Sequence, residues 1–220
     1  MTDSVESILS RFEVTKTEVA IDDEIFFIVH PKDPESLIDE AAFNRDERLP
    51  YWADVWPSAR VLAARVLAER GAGRSLLELG CGVGLVAVAA ARAGFDVTVT
   101  DYYEDALLFA RANVWRATGE EPEARLVDWR AMPRDLGRFD VVVASDVLYE
   151  RPYAQLVARA LALTLARGGM ALVADPGRVA APAFLDAATA LGLDVGEPEE
   201  HPIDANGARQ TIRLYTLRRR

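Results

Sequence analysis

A glutamate, three closely spaced glycines and a following aspartate stand where they could grip a ligand by its charge and its sugar. Residues 76–84 read Leu-Leu-Glu-Leu-Gly-Cys-Gly-Val-Gly, and Asp101 closes the next apolar run. Glycine is needed where a chain turns with positive φ, and where a ligand must reach the backbone with no Cβ in the way. A carboxylate ending the neighbouring strand can accept hydrogen bonds from both hydroxyls of a ribose. The pattern predicts a nucleoside-bearing cofactor held by Gly80, Cys81, Gly82, Gly84 and Asp101. A dinucleotide fits poorly, because Leu85 stands where the third glycine of that fingerprint belongs. Glu78, two positions ahead of the loop, would repel a pyrophosphate and attract an ammonium or sulfonium group. The competing explanation is a glycine-rich turn that only packs a helix on a strand.

Further candidates follow the later strands. Tyr102 could cover one face of the base, or simply begin a helix. Asp128 and Trp129 follow the third core strand, where an acid can accept from an exocyclic amine while an aromatic packs on the ring; both could equally close a loop. The fourth core strand runs into Ser145-Asp146-Val147-Leu148-Tyr149. Ser145 joins the cofactor-binding set, and Asp146 falls level with the cofactor's reactive end, its alternative role being a helix cap. Ser145 lacks the G-x-S-x-G setting of a nucleophile elbow. His30 and His201 are far apart and have no cysteine partners, so no metal site is expected. Asp175-Pro176-Gly177-Arg178 could form a substrate-side loop or a plain turn.

The string from Glu78 to Gly84 resembles motif I of the class I S-adenosylmethionine (SAM) methyltransferases. Asp146-x-x-Tyr149 resembles the D-x-x-Y motif of the protein lysine methyltransferases of methyltransferase family 16. Leu49-Pro50-Tyr51-Trp52-Ala53-Asp54-Val55-Trp56-Pro57 is similar to the tryptophan-containing segment preceding the cofactor domain in that group. The resemblance spans roughly residues 49–178. It implies SAM as cofactor, Trp56 as a wall of its pocket, and Asp146 and Tyr149 as catalytic residues. One branch of the group methylates the β subunit of electron-transfer flavoprotein; the pattern here differs from that branch, and that substrate is not carried over.

The implied reaction is in-line methyl transfer to nitrogen, most simply the amine of a protein lysine. That amine ionises near pH ~10.4 and must lose a proton before it can attack. Asp146 would hold and orient it, and Tyr149 would position it through its hydroxyl. Two alternatives stay open: methylation of a small-molecule amine or hydroxyl, and a SAM-fold module that binds a partner without turnover.

These residues need an α/β scaffold to bring them together. Apolar runs alternate as strands at 75–79, 97–100, 124–127, 141–144 and 170–174, with helices over 58–71, 83–93, 104–117, 152–166 and 180–191. Gly168-Gly169 is expected to cap the helix before the fifth strand. Two further strands, 195–203 and 210–217, flank Asn206-Gly207, a strong hairpin turn signal. The expected fold is a Rossmann-like, doubly wound sheet of seven strands with an antiparallel last strand. Residues 49–220 would form this domain. Residues 1–48 would form an N-terminal extension: a short helix capped by Ser4 or Asp3, a hairpin over 17–29, and a polar connection able to cover a cleft.

Composition narrows the class. The chain has 220 residues, 50% hydrophobic and 27% charged, as an ordinary soluble domain does. A net charge of −10 argues against a nucleic-acid partner, and Arg218-Arg219-Arg220 reads as a short solvated tail. No membrane span or signal peptide is evident, and the single cysteine suits a reducing cytoplasm.

Overall fold

The computed structural model describes residues 3–38, 49–205 and 208–219. A sheet of eight strands forms its centre. Four parallel pairings join β3 (Ser75–Leu79), β4 (Asp96–Asp101), β5 (Glu123–Leu126), β6 (Phe139–Ser145) and β7 (Leu165–Asp175). Along the sheet the order is β5-β4-β3-β6-β7-β10-β8, where β8 is Leu193–Val195 and β10 is Ala208–Arg219. β10 runs antiparallel to β7, and β9 (Glu199–Ala205) pairs with β10. The order reverses between β4, β3 and β6. In an open α/β sheet that reversal opens a crevice at the carboxyl ends of the strands.

Parallel strands need crossovers, and the helices cover both faces of the sheet. Side chains alternate between two cores: Leu76, Val141, Val143 and Leu172 face one, and Leu77, Val142, Ala144 and Val173 the other. The first core holds α2 (Pro57–Leu67), α3 (Leu85–Arg92) and α4 (Glu104–Thr118); the second holds α5 (Tyr153–Thr164) and α6 (Ala181–Ala190). This two-sided burial is why the strands read as unbroken apolar runs.

The N-terminal helix α1 (Asp3–Arg11) and the hairpin of β1 (Val14–Ile21) and β2 (Glu24–Pro31) pack into the first core through Val5, Ile8, Val19, Ile21, Phe26 and Ile28. Buried Asn113 on α4 ties this layer to the site. Its Nδ2 donates to the Val29 and Val83 carbonyls, both at 2.8 Å, and its Oδ1 accepts from the Val29 N–H at 2.9 Å. The hairpin therefore braces the glycine loop through one amide.

Some expectations need correction. α5 ends at Thr164, and Gly168 and Gly169 lie inside β7 at an irregularity opposite Phe139–Val141 instead of capping a helix. A Cβ on Gly169 would come within 2.9 Å of the Ala166 carbonyl oxygen, so the tight backbone there explains the glycine. The strand expected over 195–203 divides into β8 and β9. Arg218 and Arg219 form no loose tail: both close β10 beside β8, Arg218 exposed and Arg219 half-buried, with Arg219 Nη1 donating to the Leu165 carbonyl at 3.1 Å. The turn Asn206-Gly207, the side chains of Asp3 and Ser4, and residues 39–48 of the connection lie outside the described residues. Among the described residues, no helix is long and apolar enough to cross a membrane.

Gly84 caps α3 with φ 85°, and a Cβ there would sit 2.7 Å from Ala110 Cα on α4. Gly119 has φ 86° and open space around it. Urea unfolding should separate the two effects. Gly119→Ala should lose about 1–2 kcal/mol for left-handed backbone alone. Gly84→Ala should lose a further ~1–3 kcal/mol from overpacking. Equal losses would mean that α3 and α4 separate at no cost.

Candidate active site

At the carboxyl end of β3 the chain turns through the glycine loop, and the Gly80 and Cys81 N–H groups donate to the Thr100 carbonyl at 2.9 and 3.0 Å. This fastens the loop to β4, whose last residue is Asp101. Asp101 Oδ2 accepts from the Gly82 N–H and Oδ1 from the Tyr103 N–H, both at 3.0 Å. A Cβ on Gly80 would press on Val147 at 3.2 Å and Trp129 at 3.4 Å, and one on Gly82 would reach the Trp52 carbonyl at 3.0 Å. The loop is thus walled on both sides, and its glycines leave no room there for a side chain.

Glu78 and Asp101 face the same cavity of about 520 Å³, as do Trp56, Gly80, Cys81, Gly82, Tyr102, Asp128, Trp129, Ser145, Asp146 and Tyr149. Gly84 does not line it; the close approach of α3 to α4 accounts for that glycine. Glu78 is buried, and its Oε2 has no hydrogen-bond partner. Burial, followed by the nearby Asp101 charge, pushes its carboxyl well above the usual range. Burial also raises Asp101, against the opposing pull of backbone N–H groups. The Cys81 thiol is buried and pushed up, so it stays protonated and contributes shape more than charge.

Where the sheet leaves β5, the turn Trp129–Ala131 aims two candidates. Asp128 was expected to accept from a base; both its carboxylate oxygens accept from Arg130, at 2.7 to 3.0 Å. The reason is local, since Asp128 Oδ1 also accepts from the Arg130 N–H at 2.9 Å and folds that side chain back. The Arg130 guanidinium in turn lies 5.8 Å from the Tyr102 ring centre. Trp129 packs edge-on to Tyr153, with its indole Nε1 buried and unpartnered.

The other end of the cavity is aromatic and ionic. Asp146 follows β6 with φ 55°, its N–H donating to the Ala174 carbonyl at 2.9 Å. It caps no helix: α5 starts beyond Pro152 with no side-chain cap. Asp146 Oδ1 accepts from Arg178 Nε at 2.7 Å. Tyr149 lies between Tyr51 and Tyr153, at ring distances of 5.3 and 4.9 Å. Burial raises its hydroxyl further above the usual range, so it remains protonated and serves as a hydrogen-bonding group, never as a base. Trp56 caps α2, donates from Nε1 to the Tyr51 carbonyl at 2.7 Å, and carries the Arg178 guanidinium 5.8 Å from its ring centre.

Sequence reasoning missed Arg178 as Asp146's partner, Arg130 as Asp128's, and Tyr51, Trp52 and Tyr153 as cavity walls. One signal was available for Arg178: it ends the turn after β7, at the same carboxyl edge as the other candidates. Among the described residues no group of three His, Cys, Asp or Glu side chains is placed to hold a metal.

The fit to SAM rests on these observations. An unpaired buried carboxylate oxygen suits an ammonium, backbone bared at Gly80 and Gly82 suits a close ligand, and Asp101 at the end of β4 suits a ribose.

Known proteins place this arrangement in a family. The chain is 30% identical over 132 residues to the electron transfer flavoprotein beta subunit lysine methyltransferase of Danio rerio, covering 59% of this chain and 51% of that protein. It is 35% identical over 103 residues to the ubiquinone biosynthesis O-methyltransferase of Bordetella avium, covering 44% and 40%. The chain spans about half the length of the curated relatives it matches. In three dimensions it resembles magnesium protoporphyrin IX methyltransferase from Synechocystis, solved with bound SAM. That likeness, with a TM-score of 0.60 at 18% identity over 84% of this chain and 94% of that one, shows the shared fold. The family model described as "Methyltransferase domain" matches residues 51–203, well over half the sequence, and the chain belongs to that methyltransferase family.

Proposed function

We propose that this chain is a SAM-dependent N-methyltransferase that methylates a lysine of a protein. The observation that carries the reading is the buried, unpaired oxygen of Glu78 in a glycine-floored cavity shared with Asp101. An uncompensated carboxylate in such a place is costly unless a cation arrives to pair with it. SAM supplies an ammonium for that position and an electrophilic methyl on a sulfonium. Glu78 would hold the ammonium, Asp101 the ribose hydroxyls, Trp129 and Tyr102 the base, and Ser145 and Trp56 the wall near the methyl. Residues 49–220 would form this domain, braced by the extension 1–48.

Asp146 and Tyr149 would orient the acceptor nitrogen, with Tyr51, Trp56 and Tyr153 excluding water from it. The lysine preference is supported by the name of the zebrafish relative and by the aromatic, acidic lining of this end. The Bordetella relative supports a second reading, a small-molecule acceptor. The single buried thiol suits a cytoplasmic location.

Titration calorimetry with SAM and its demethylated product should show binding. A folded chain that takes up neither would leave a partner-binding module as the better reading. Incubation with tritiated SAM and a host lysate should then label an intact protein at lysine. Label found only in a metabolite extract would favour the small-molecule reading.

Three variants or conditions test the site's roles. Asp101→Ala should weaken SAM binding roughly 10- to 100-fold, the effect of losing about 1.5–3 kcal/mol from hydrogen bonds to a charged group. Asp146→Ala should bind SAM as before while incorporation of label falls by two orders of magnitude or more, an expectation of roughly 3 kcal/mol in the barrier. The third concerns protons. Burial raises Glu78 in the free protein, whereas an ammonium partner favours its ionised form. Binding should therefore release a proton at pH values below the raised one, and affinity should climb as pH rises towards it and then level off. Calorimetry in buffers of different ionisation enthalpy measures that proton directly. Proton uptake on binding would contradict the assignment.

A further inference from the structure

Asp146 is not available as a bare negative charge. Its side chain is only 5% exposed, Oδ1 accepts from Arg178 Nε at 2.7 Å, and Oδ2 is 3.4 Å from the Ser58 hydroxyl. Arg178 is delivered by a built turn. Asp175 at the end of β7 accepts from the Gly177 and Arg178 N–H groups, each at 2.7 Å, and so fixes where the arginine begins. Trp56 then supports the guanidinium from below. The side chain is 36% exposed and lines the cavity, and among the described residues its two terminal nitrogens have no hydrogen-bond partner.

This pairing matters for a reaction that needs a lone pair. A lone carboxylate beside the acceptor would stabilise its ammonium form, which cannot attack. Once paired, the same carboxylate still offers lone pairs to an N–H donor but carries little net field. We propose that Arg178 is a positioning residue whose charge cancels that of Asp146, so that this end of the cavity receives the acceptor lysine as a neutral amine.

The proposal rests on the reading of the cavity as a lysine methyltransferase site. The lysine gives its proton to solvent water as it enters, before the aromatic wall closes around the nitrogen. Its nitrogen lone pair then forms the N–C bond as the C–S bond of the sulfonium donor breaks. The bonding pair leaves on sulfur as a neutral thioether, and the positive charge passes to the methylated nitrogen. Other groups bear on the same spot: Asp54 and Tyr51 from the segment before α2, and Tyr149 and Glu150 from the turn after Asp146. Tyr153 faces it from α5, Asp175 from behind Arg178, and Glu78 and Asp101 from across the cavity. These acids would favour the ammonium, and among the described residues Arg178 is the cation set against them at this end. The second cavity arginine, Arg130, is engaged by Asp128 at the other end.

The test is the pH dependence of kcat with saturating SAM and the purified acceptor protein identified by labelling. The unmodified enzyme should rise with pH to a plateau. Arg178→Gln should be at least tenfold slower at pH 7, with its midpoint moved up by about one unit or more and its rate recovering in alkali. Arg178→Lys, which keeps the charge, should keep the midpoint near that of the unmodified enzyme even where the rate falls. Asp146→Asn, which leaves the arginine uncompensated, should move the midpoint down, and adding Arg178→Gln to that variant should bring it back up towards that of the unmodified enzyme; if Arg178→Gln alone does not fold, a double variant whose midpoint matches that of Asp146→Asn overturns the proposal. A loss in Arg178→Gln that is equal at every pH, or midpoints that stay put in both Arg178→Gln and Asp146→Asn, would overturn the proposal. Failure of the unmodified chain to bind SAM would instead remove the underlying reading.

Discussion

Two carboxylates, Glu78 and Asp101, are buried at the ends of adjacent strands and face one cavity, and each raises the cost of charging its neighbour. Burial leaves them little solvent, and backbone donors satisfy only part of their capacity. Asp101 has two N–H partners within 3.0 Å, while one oxygen of Glu78 has none. Such a pair is expensive for the free chain, and its cost falls only when donors or a cation come from outside. The site is therefore a destabilised arrangement held open by the rest of the fold.

Much of the fold can be understood as what holds it open. The Thr100 carbonyl receives two N–H groups of the glycine loop, which fixes the loop against β4 beside Asp101. From the other side, Asn113 grips Val83 and the hairpin strand β2 at once. Hydrogen bonds of a buried amide are exacting, because leaving either partner unmet costs about 1–3 kcal/mol. The N-terminal layer is thus coupled to the cofactor loop through one side chain, with α4 as the rigid link between them.

What could be read from the sequence was what repeats locally. Alternating apolar runs gave away a two-sided parallel sheet, and Glu78, the glycines and Asp101 gave away the crevice because they sit within one strand–loop–helix–strand unit. Asp146 and Tyr149 stood out through their resemblance to a D-x-x-Y motif. Their surroundings did not, because Arg178, Tyr51 and Tyr153 come from three separate connections that only the folded sheet brings to one edge. The arginine partner of Asp128 was hidden for a related reason. The aspartate's position after β5 was correctly placed, but the arginine two residues on folds back over it, and residue types alone do not show which way a long side chain turns. The glycines at 168 and 169 suggested a helix cap, whereas a strand irregularity needed them just as much.

Charge is distributed along the cavity with some order. At the end formed by β5, Arg130 takes both oxygens of Asp128; at the end formed by β6 and β7, Arg178 takes one oxygen of Asp146. Glu78 and Asp101 line the same cavity and, among the described residues, have no arginine partner. Among these residues cations are thus set beside Asp128 and Asp146 and not beside the other two acids. A ligand that brings its own positive charge is drawn to that pair, and one that brings negative charge is opposed there. Electrostatics of this kind oppose a pyrophosphate and favour a ligand that carries an ammonium, and so one buried glutamate can turn a sheet shared with dinucleotide-binding proteins towards a different cofactor.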